Sequence, residues 1–145
     1  MNNDSKGSVL IIVQSIEDDT ITLVEDPSKP SPIYWKFPGG KVKFWRSETH
    51  AEAAQRELKE ETGLKVSLEQ VKMIDYESKP NHVLTIFGAR ITSFTEIAKI
   101  GETGEITHVC TLEKIQNLIA SQKFHPNHIE HLKHLKDGLL DLSSW

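Results

Sequence analysis

The apolar positions begin as one nearly unbroken block. Gly7 to Ile16 (GSVLIIVQSI) is aliphatic along most of its length and too short for an ordinary helix, which predicts a buried strand. Glu17, Asp18 and Asp19 form a polar turn, and Thr20 to Val24 predicts the hairpin partner. Asp26 to Pro32 is a loop rich in proline and serine. Tyr34-Trp35-Lys36-Phe37 follows as a short strand on its aromatic content, stopped by Pro38-Gly39-Gly40.

From Thr49 the period becomes that of a helix. Thr49-His50-Ala51-Glu52 is a capping-box pattern and Gly63 a C-terminal stop, which predicts a helix from about His50 to Thr62. Ala51, Ala54 and Leu58 mark its apolar face, so the opposite face meets something polar. Val66 to Tyr76 and His82 to Ile91 read as two strands about the turn Ser78-Lys79-Pro80-Asn81, and Ile106 to Cys110 as another. Leu112 to Ser121 and Asn127 to Leu140 read as helices, the second amphipathic through Ile129, Leu132, Leu135 and Leu139. Strands interleaved with helices predict the α/β class, a sandwich around a mixed β-sheet.

Composition narrows this picture. At 145 residues the chain fits a single domain, 1–145, long enough to hold a core without disulfide or metal. Its 37% hydrophobic and 26% charged fractions are those of a soluble globule. Seventeen bases against 21 acids leave a net charge of −4, which argues against a nucleic-acid partner or an anionic membrane surface. Cys110 is the one cysteine and cannot close an internal disulfide. Met1 to Gly7 is polar, and the longest aliphatic run, Val9 to Val13, falls far short of a membrane span. A cytoplasmic location is the expectation.

The chemistry concentrates on the first helix. Glu57, Glu60 and Glu61 stand at i, i+3 and i+4, three carboxylates on one face. Like charges at this spacing repel; a hard divalent cation reverses the sign, because Mg²⁺ or Mn²⁺ takes carboxylate oxygen and completes its shell with water and phosphate. A solvated acidic face is the competing reading. Lys36, Lys41, Lys43 and Arg46 precede the helix in a stretch without acids, and Pro38-Gly39-Gly40 lies within it. A basic, glycine-containing loop leading into an acidic helix offers cations for phosphate and carboxylates for metal in one place.

These residues carry a resemblance. The chain resembles the Nudix (MutT-like) hydrolases, whose box reads G-x5-E-x7-R-E-U-x-E-E-x-G-U with U aliphatic. From Glu48 the match is complete, through Arg56, Glu57, Leu58, Glu60, Glu61, Gly63 and Leu64. Trp35-Lys36-Phe37-Pro38-Gly39-Gly40-Lys41-Val42 is similar to the segment ahead of the box, which spans residues 40–64 here. Between Gly40 and Glu48 there are seven residues instead of five, so Lys41 to Ser47 (KVKFWRS) carries a two-residue insertion.

The resemblance implies a Nudix-type α/β/α sandwich and a pyrophosphohydrolase that uses Mg²⁺ or Mn²⁺. Glu57, Glu60 and Glu61 would bind the metal, with the Gly40 carbonyl as a further ligand, and Glu48 with Arg56 would form a structural ion pair. Water would attack a phosphorus of a small-molecule nucleoside diphosphate derivative, with Glu60 or Glu61 as general base, or Glu105 or Glu102 from the later loop. Lys41, Trp45 and Arg46 are the candidate substrate contacts. The protein would act as a monomer or homodimer. The segment around Trp35 looks like nucleoside-triphosphate members, whereas Pro80, sixteen residues after Leu64, lies near where ADP-ribose-type members carry a proline.

Two rival functions stand beside this one: a non-catalytic Nudix-fold nucleotide-sensing module and an isomerase of isoprenoid diphosphates. The three carboxylates favour the hydrolase over a mere binder, and the chain is short for the isomerase. Phe44 and Trp45 in the insertion pack onto the sheet by default, with stacking on a base or contact with a partner as the alternatives. His125, His128, His131 and His134 recur every third residue; on an α-helix they drift round the axis, which predicts a solvated face rather than a zinc site. Cys110, in a strand, reads as a small buried hydrophobe.

Overall fold

The computed structural model describes residues 6–136 and 139–142. Strand β1 (Gly7–Ser15) is its axis. One edge of β1 pairs in parallel with β5 (His82–Ile91) over its full length, and β4 (Lys72–Lys79) pairs antiparallel with β5. The other edge is divided. Its first half pairs with β3 (Gly39–Lys41) and its end meets β2 (Ile21–Glu25) at Gln14 and Ile21; β6 (Ile106–Cys110) then extends the sheet from β2.

Helices cover both faces of this mixed sheet. Val9, Ile11 and Val13 face helix α1 (His50–Thr62), packing with Ala53, Ala54 and Leu58. Ile12 faces the opposite side, in a second cluster with Leu23, Phe37 and Ile86 and with Ile115 and Leu118 of α2 (Leu112–Ala120). A strand buried on both sides has no polar alternation to show, hence the continuous aliphatic run. The α/β/α arrangement is the one expected. Cys110 is buried and burial raises its thiol pKa to about 11, as suits an inert core residue.

Three elements differ from expectation. Tyr34 to Phe37 forms no strand: Trp35 and Lys36 make single bridges to Phe124 and Val24, and the paired stretch is Gly39–Lys41. Pro38 has no N–H, but its carbonyl accepts from Ile11, and the bare glycines after it can lie against β1. The strand expected from Val66 starts instead at Lys72, because Ser67 and Gln70 close a local turn through backbone and side-chain hydrogen bonds. The third difference is the helix expected over Asn127 to Leu140. Pro126–His134 is 3₁₀, and Leu135–Lys136 pairs with Leu139–Leu140; residues 137 and 138 lie outside the described ones.

Candidate active site

Helix α1 is fixed at both ends before it supplies any chemistry. Thr49 Oγ1 accepts from the Glu52 amide at 3.1 Å and Glu52 Oε1 accepts from the Thr49 amide at 2.9 Å, a reciprocal capping box. At the other end Gly63 takes the left-handed conformation, φ 79°, and its N–H donates to the Lys59 carbonyl. The helix therefore presents a set rotation: Leu58 and Glu61 are buried, and Glu57 and Glu60 both meet Arg56.

Arg56 organises the acidic face. Its Nε and Nη2 grip Glu48 at 2.7 and 3.1 Å, its Nη1 donates to Glu57 at 2.9 Å and Glu60 at 3.1 Å, and Nη2 also reaches the Lys41 carbonyl. Burial opposes ionisation of Glu48, but hydrogen bonds from Arg56 and the Lys43 amide outweigh it and hold its carboxyl below the ordinary range. Arg56 is correspondingly raised, first by its hydrogen bond to Glu48. The Glu48–Arg56 pair thus ties the inserted loop to the helix.

Glu61 has the opposite environment. It is 4% exposed, and burial pushes its pKa well above the carboxylate range, helped by its contact with Glu57 and the charges of Glu57 and Glu105. Lys36 offsets this in part. Glu105, itself buried, reaches the same place on the loop 101–105, where Thr103 Oγ1 donates to it. That loop is pressed onto the end of α1: a Cβ at Gly101 would stand 2.3 Å from the Glu61 carbonyl, and the Glu102 amide donates to the Glu60 carbonyl at 2.6 Å. At Gly40 a Cβ would stand 2.5 Å from the Glu57 carboxylate, so the absent side chain lets the β3 backbone approach it.

The structure thus gathers Gly40, Glu57, Glu61 and Glu105. Glu60 turns outward to Arg56, and Glu102 pairs with Lys59 at the exposed rim. Lys41, Trp45 and Arg46 lie on the solvent side of the inserted loop, where Phe44–Arg46 forms a 3₁₀ turn and Trp45 is 66% exposed. Phe44 and Trp45 meet edge-on at 5.4 Å instead of folding onto the sheet. A cleft of about 340 Å³ adjoins Gly40, lined among others by Lys36, Phe37, Leu84 and His128.

The histidines of that cleft wall correct the expectation of a solvated face. A 3₁₀ segment turns every three residues, so side chains three apart eclipse. His125, His128, His131 and His134 stand in one column, with consecutive ring centroids 4.6, 6.4 and 6.4 Å apart. His128 Nδ1 accepts from the Phe37 amide at 3.1 Å, and burial drives its pKa down to about 3. The three-residue spacing is visible in the sequence, and it becomes a column only on a 3₁₀ period, not on an α-helical one.

A family model described as the NUDIX domain matches residues 4–135. The chain belongs to this family. No curated protein matches the sequence. The Nudix fold is shared with a NUDIX hydrolase from Nitrosomonas europaea, 19% identical, with a TM-score of 0.68 over 95% of this chain and 93% of that one. MutT, from work on Aliivibrio salmonicida and Vibrio cholerae, is 23% identical with a TM-score of 0.62, covering 88% of this chain and 92% of that one. A bifunctional NMN adenylyltransferase/ADP ribose pyrophosphatase from Francisella tularensis, complexed with AMP and Mn ion, is 22% identical with a TM-score of 0.70 over 90% of this chain. This Nudix chain spans 41% of the length of that protein and 44% of a MutT/nudix family protein from Enterococcus faecalis. Among the described residues no helix is long and apolar enough to cross a membrane.

Proposed function

We propose that this Nudix chain is a Mg²⁺- or Mn²⁺-dependent pyrophosphohydrolase of a nucleoside diphosphate linked to a further group, of the nucleoside-triphosphate or ADP-ribose/nucleotide-sugar type. The observation that carries the proposal is Glu61. A buried carboxylate set against Glu57 and Glu105, with Lys36 as its partial offset, has a charge deficit that a divalent cation satisfies. The donors fit such an ion: all are oxygens, and Gly40 keeps the backbone close to Glu57. Glu57, Glu61 and the Gly40 carbonyl would hold it, with Glu60 at the edge of the set.

When bound, the ion supplies neutralisation of phosphate charge and a lowered pKa for the attacking water. The remaining work falls to the chain. Water forms a bond to phosphorus, the bond from that phosphorus to the bridging oxygen breaks, and the water loses a proton. We assign the proton to Glu105, which stands beside Glu61 and bears no ion pair among the described residues, ahead of Glu60, whose carboxylate Arg56 already engages. Lys36, at the junction of the carboxylates and the cleft, is placed to meet a phosphate oxygen. The cleft beside it has the volume for a nucleoside portion. The AMP and Mn ion of the Francisella protein support nucleotide and metal as the classes to test.

The test is a panel of nucleoside triphosphates, ADP-ribose, nucleotide sugars and dinucleoside polyphosphates, assayed with Mg²⁺ or Mn²⁺ and with chelator. Metal-dependent release of a nucleoside monophosphate from at least one is expected. Tight nucleotide binding with no turnover of any would instead establish the sensing module.

A further inference from the structure

A second group of metal-ligating side chains lies away from the α1 carboxylates and shares no residue with them. Glu77 on β4 and Glu130 and His131 on the 3₁₀ segment bring two carboxylate oxygens and a ring nitrogen within 4.8 Å of one another. An acidic pair alone would carry little. His131 changes that: the residue is 2% exposed, and its Nδ1 is buried without a hydrogen-bond partner among the described residues. A native protein leaves few buried polar atoms unsatisfied, and each has a cost to be explained. The two facing carboxylates pose the same problem in charge. Lys133, the neighbouring cation on the segment, is engaged with Asp75 at 3.3 Å, and Lys79 offsets the charge of Glu130 on Glu77 only in part.

From this geometry we infer that Glu77, Glu130 and His131 form a Zn²⁺ site that fastens the 3₁₀ segment to β4. One imidazole and two carboxylates are a three-ligand set of the kind Zn²⁺ accepts, with water in the fourth position. Ligands about 2.1 Å from a tetrahedral ion stand roughly 3.4 Å apart. Closing from at most 4.8 Å to that spacing asks no more than about 1.4 Å of movement, which exposed Glu130 can supply. An ion at this point would answer the two facing carboxylates and give the ring of His131 a partner.

The site has a consequence for the cleft. His131 packs on His128, and His128 accepts from the Phe37 amide on the opposite wall. An ion holding His131 to β4 therefore steadies the wall that a nucleotide would meet. The inference does not depend on the proposed hydrolysis.

The experiment is titration calorimetry with Zn²⁺ alone at pH 7 on the Glu57→Gln/Glu61→Gln variant, in which the α1 carboxylates no longer compete. One equivalent of Zn²⁺ per chain is expected, with an accompanying rise in melting temperature. Glu130→Gln and Glu77→Gln, added separately to that background, alter partly or fully solvated side chains that serve no packing role, and circular dichroism checks their fold. Each should weaken Zn²⁺ tenfold or more. Absence of binding in the parent variant, or a loss below tenfold in either derivative, overturns the site.

Discussion

Two residues in the α1 face have been asked to carry charges of the same sign at close range, and they differ in what answers them. Glu60 meets Arg56 at 3.1 Å; Glu61 meets Glu57, Glu105 and low dielectric. Glu61→Gln should therefore cut turnover by about 100-fold or more, and Glu60→Gln by about tenfold or less. The same Glu61→Gln change should raise the melting temperature in chelator above pH 7, because a neutral amide spares the fold the cost of keeping a proton on Glu61, a cost that Lys36 offsets only in part. Steady-state kinetics and thermal scans on the two variants decide this, and equal losses in both would move the metal to the outer face. Gly40→Ala tests the backbone side of the same site. Its methyl would meet the Glu57 carboxylate at 2.5 Å, and Arg56 restrains that carboxylate from swinging away. Turnover should fall by at least tenfold while the melting temperature moves by a few degrees, since the methyl meets the half-buried Glu57 carboxylate and not the apolar core.

At the scale of elements, legibility followed the locality of the signals. Helix α1 announces both its ends in side chains that bond their own neighbours, Thr49 with Glu52 and Gly63 with Lys59, so the bounds His50 to Thr62 could be read without knowing the fold. Thr49→Ala should accordingly cost about 1 kcal/mol, measured as a shift of the urea midpoint at unchanged slope. Elements decided by distant partners were not legible. β3 exists because Gly39 and Gly40 have no side chain to keep them from β1 and α1, a fact about what lies opposite. The 3₁₀ segment shares its apolar spacing with an α-helix over so short a length, and the choice is made by Pro126, the Phe37 amide reaching His128, and the chain turning into Leu135–Lys136. Of the candidate site, Glu57 and Glu61 lie within the motif, Glu105 stands beside Glu102 as a candidate only through the resemblance, and His128 became visible only with its period. His128 also yields a test by pH. It is neutral in the fold with a pKa near 3, against 6.5 when exposed, so between those values the unfolded chain binds more protons. The His128 contribution to stability should shrink as pH drops from 7 toward 4, against the gain that the Glu61 proton brings over the same range, so the difference between parent and variant is what reads it. His128→Asn, which keeps an acceptor for Phe37 without titrating there, should be less stable at pH 7 yet lose less on acidification, as followed by urea denaturation in chelator.

For the whole molecule, a net charge of −4 hides an uneven distribution. Glu48, Glu52, Glu57, Glu60 and Glu61 fall within fourteen residues, directly after the stretch that holds Lys36, Lys41, Lys43 and Arg46. The acidity that argues against a polyanion partner is thus local, and compatible with a small polyphosphate once a cation occupies the carboxylates. This couples metal, proton and folding. Without metal the folded chain holds a proton at Glu61 far more tightly than the unfolded chain does, because burial and Glu57 disfavour the ionised form. The stability carried by that proton is complete below the unfolded value near 4.5 and is lost as pH rises toward the elevated folded one, by up to about 1.4 kcal/mol per pH unit for one proton. A divalent cation at Glu57 and Glu61 displaces the proton and removes the loss. Saturating Mg²⁺ or Mn²⁺ should therefore raise the melting temperature slightly at pH 6 and progressively more at pH 7, 8 and 9, and calorimetry in buffers of different ionisation heat should show proton release on binding. Glu61→Gln should flatten both trends. A metal-induced shift independent of pH would mean that the ion binds carboxylates already ionised, on the exposed side of α1, and not the buried pair.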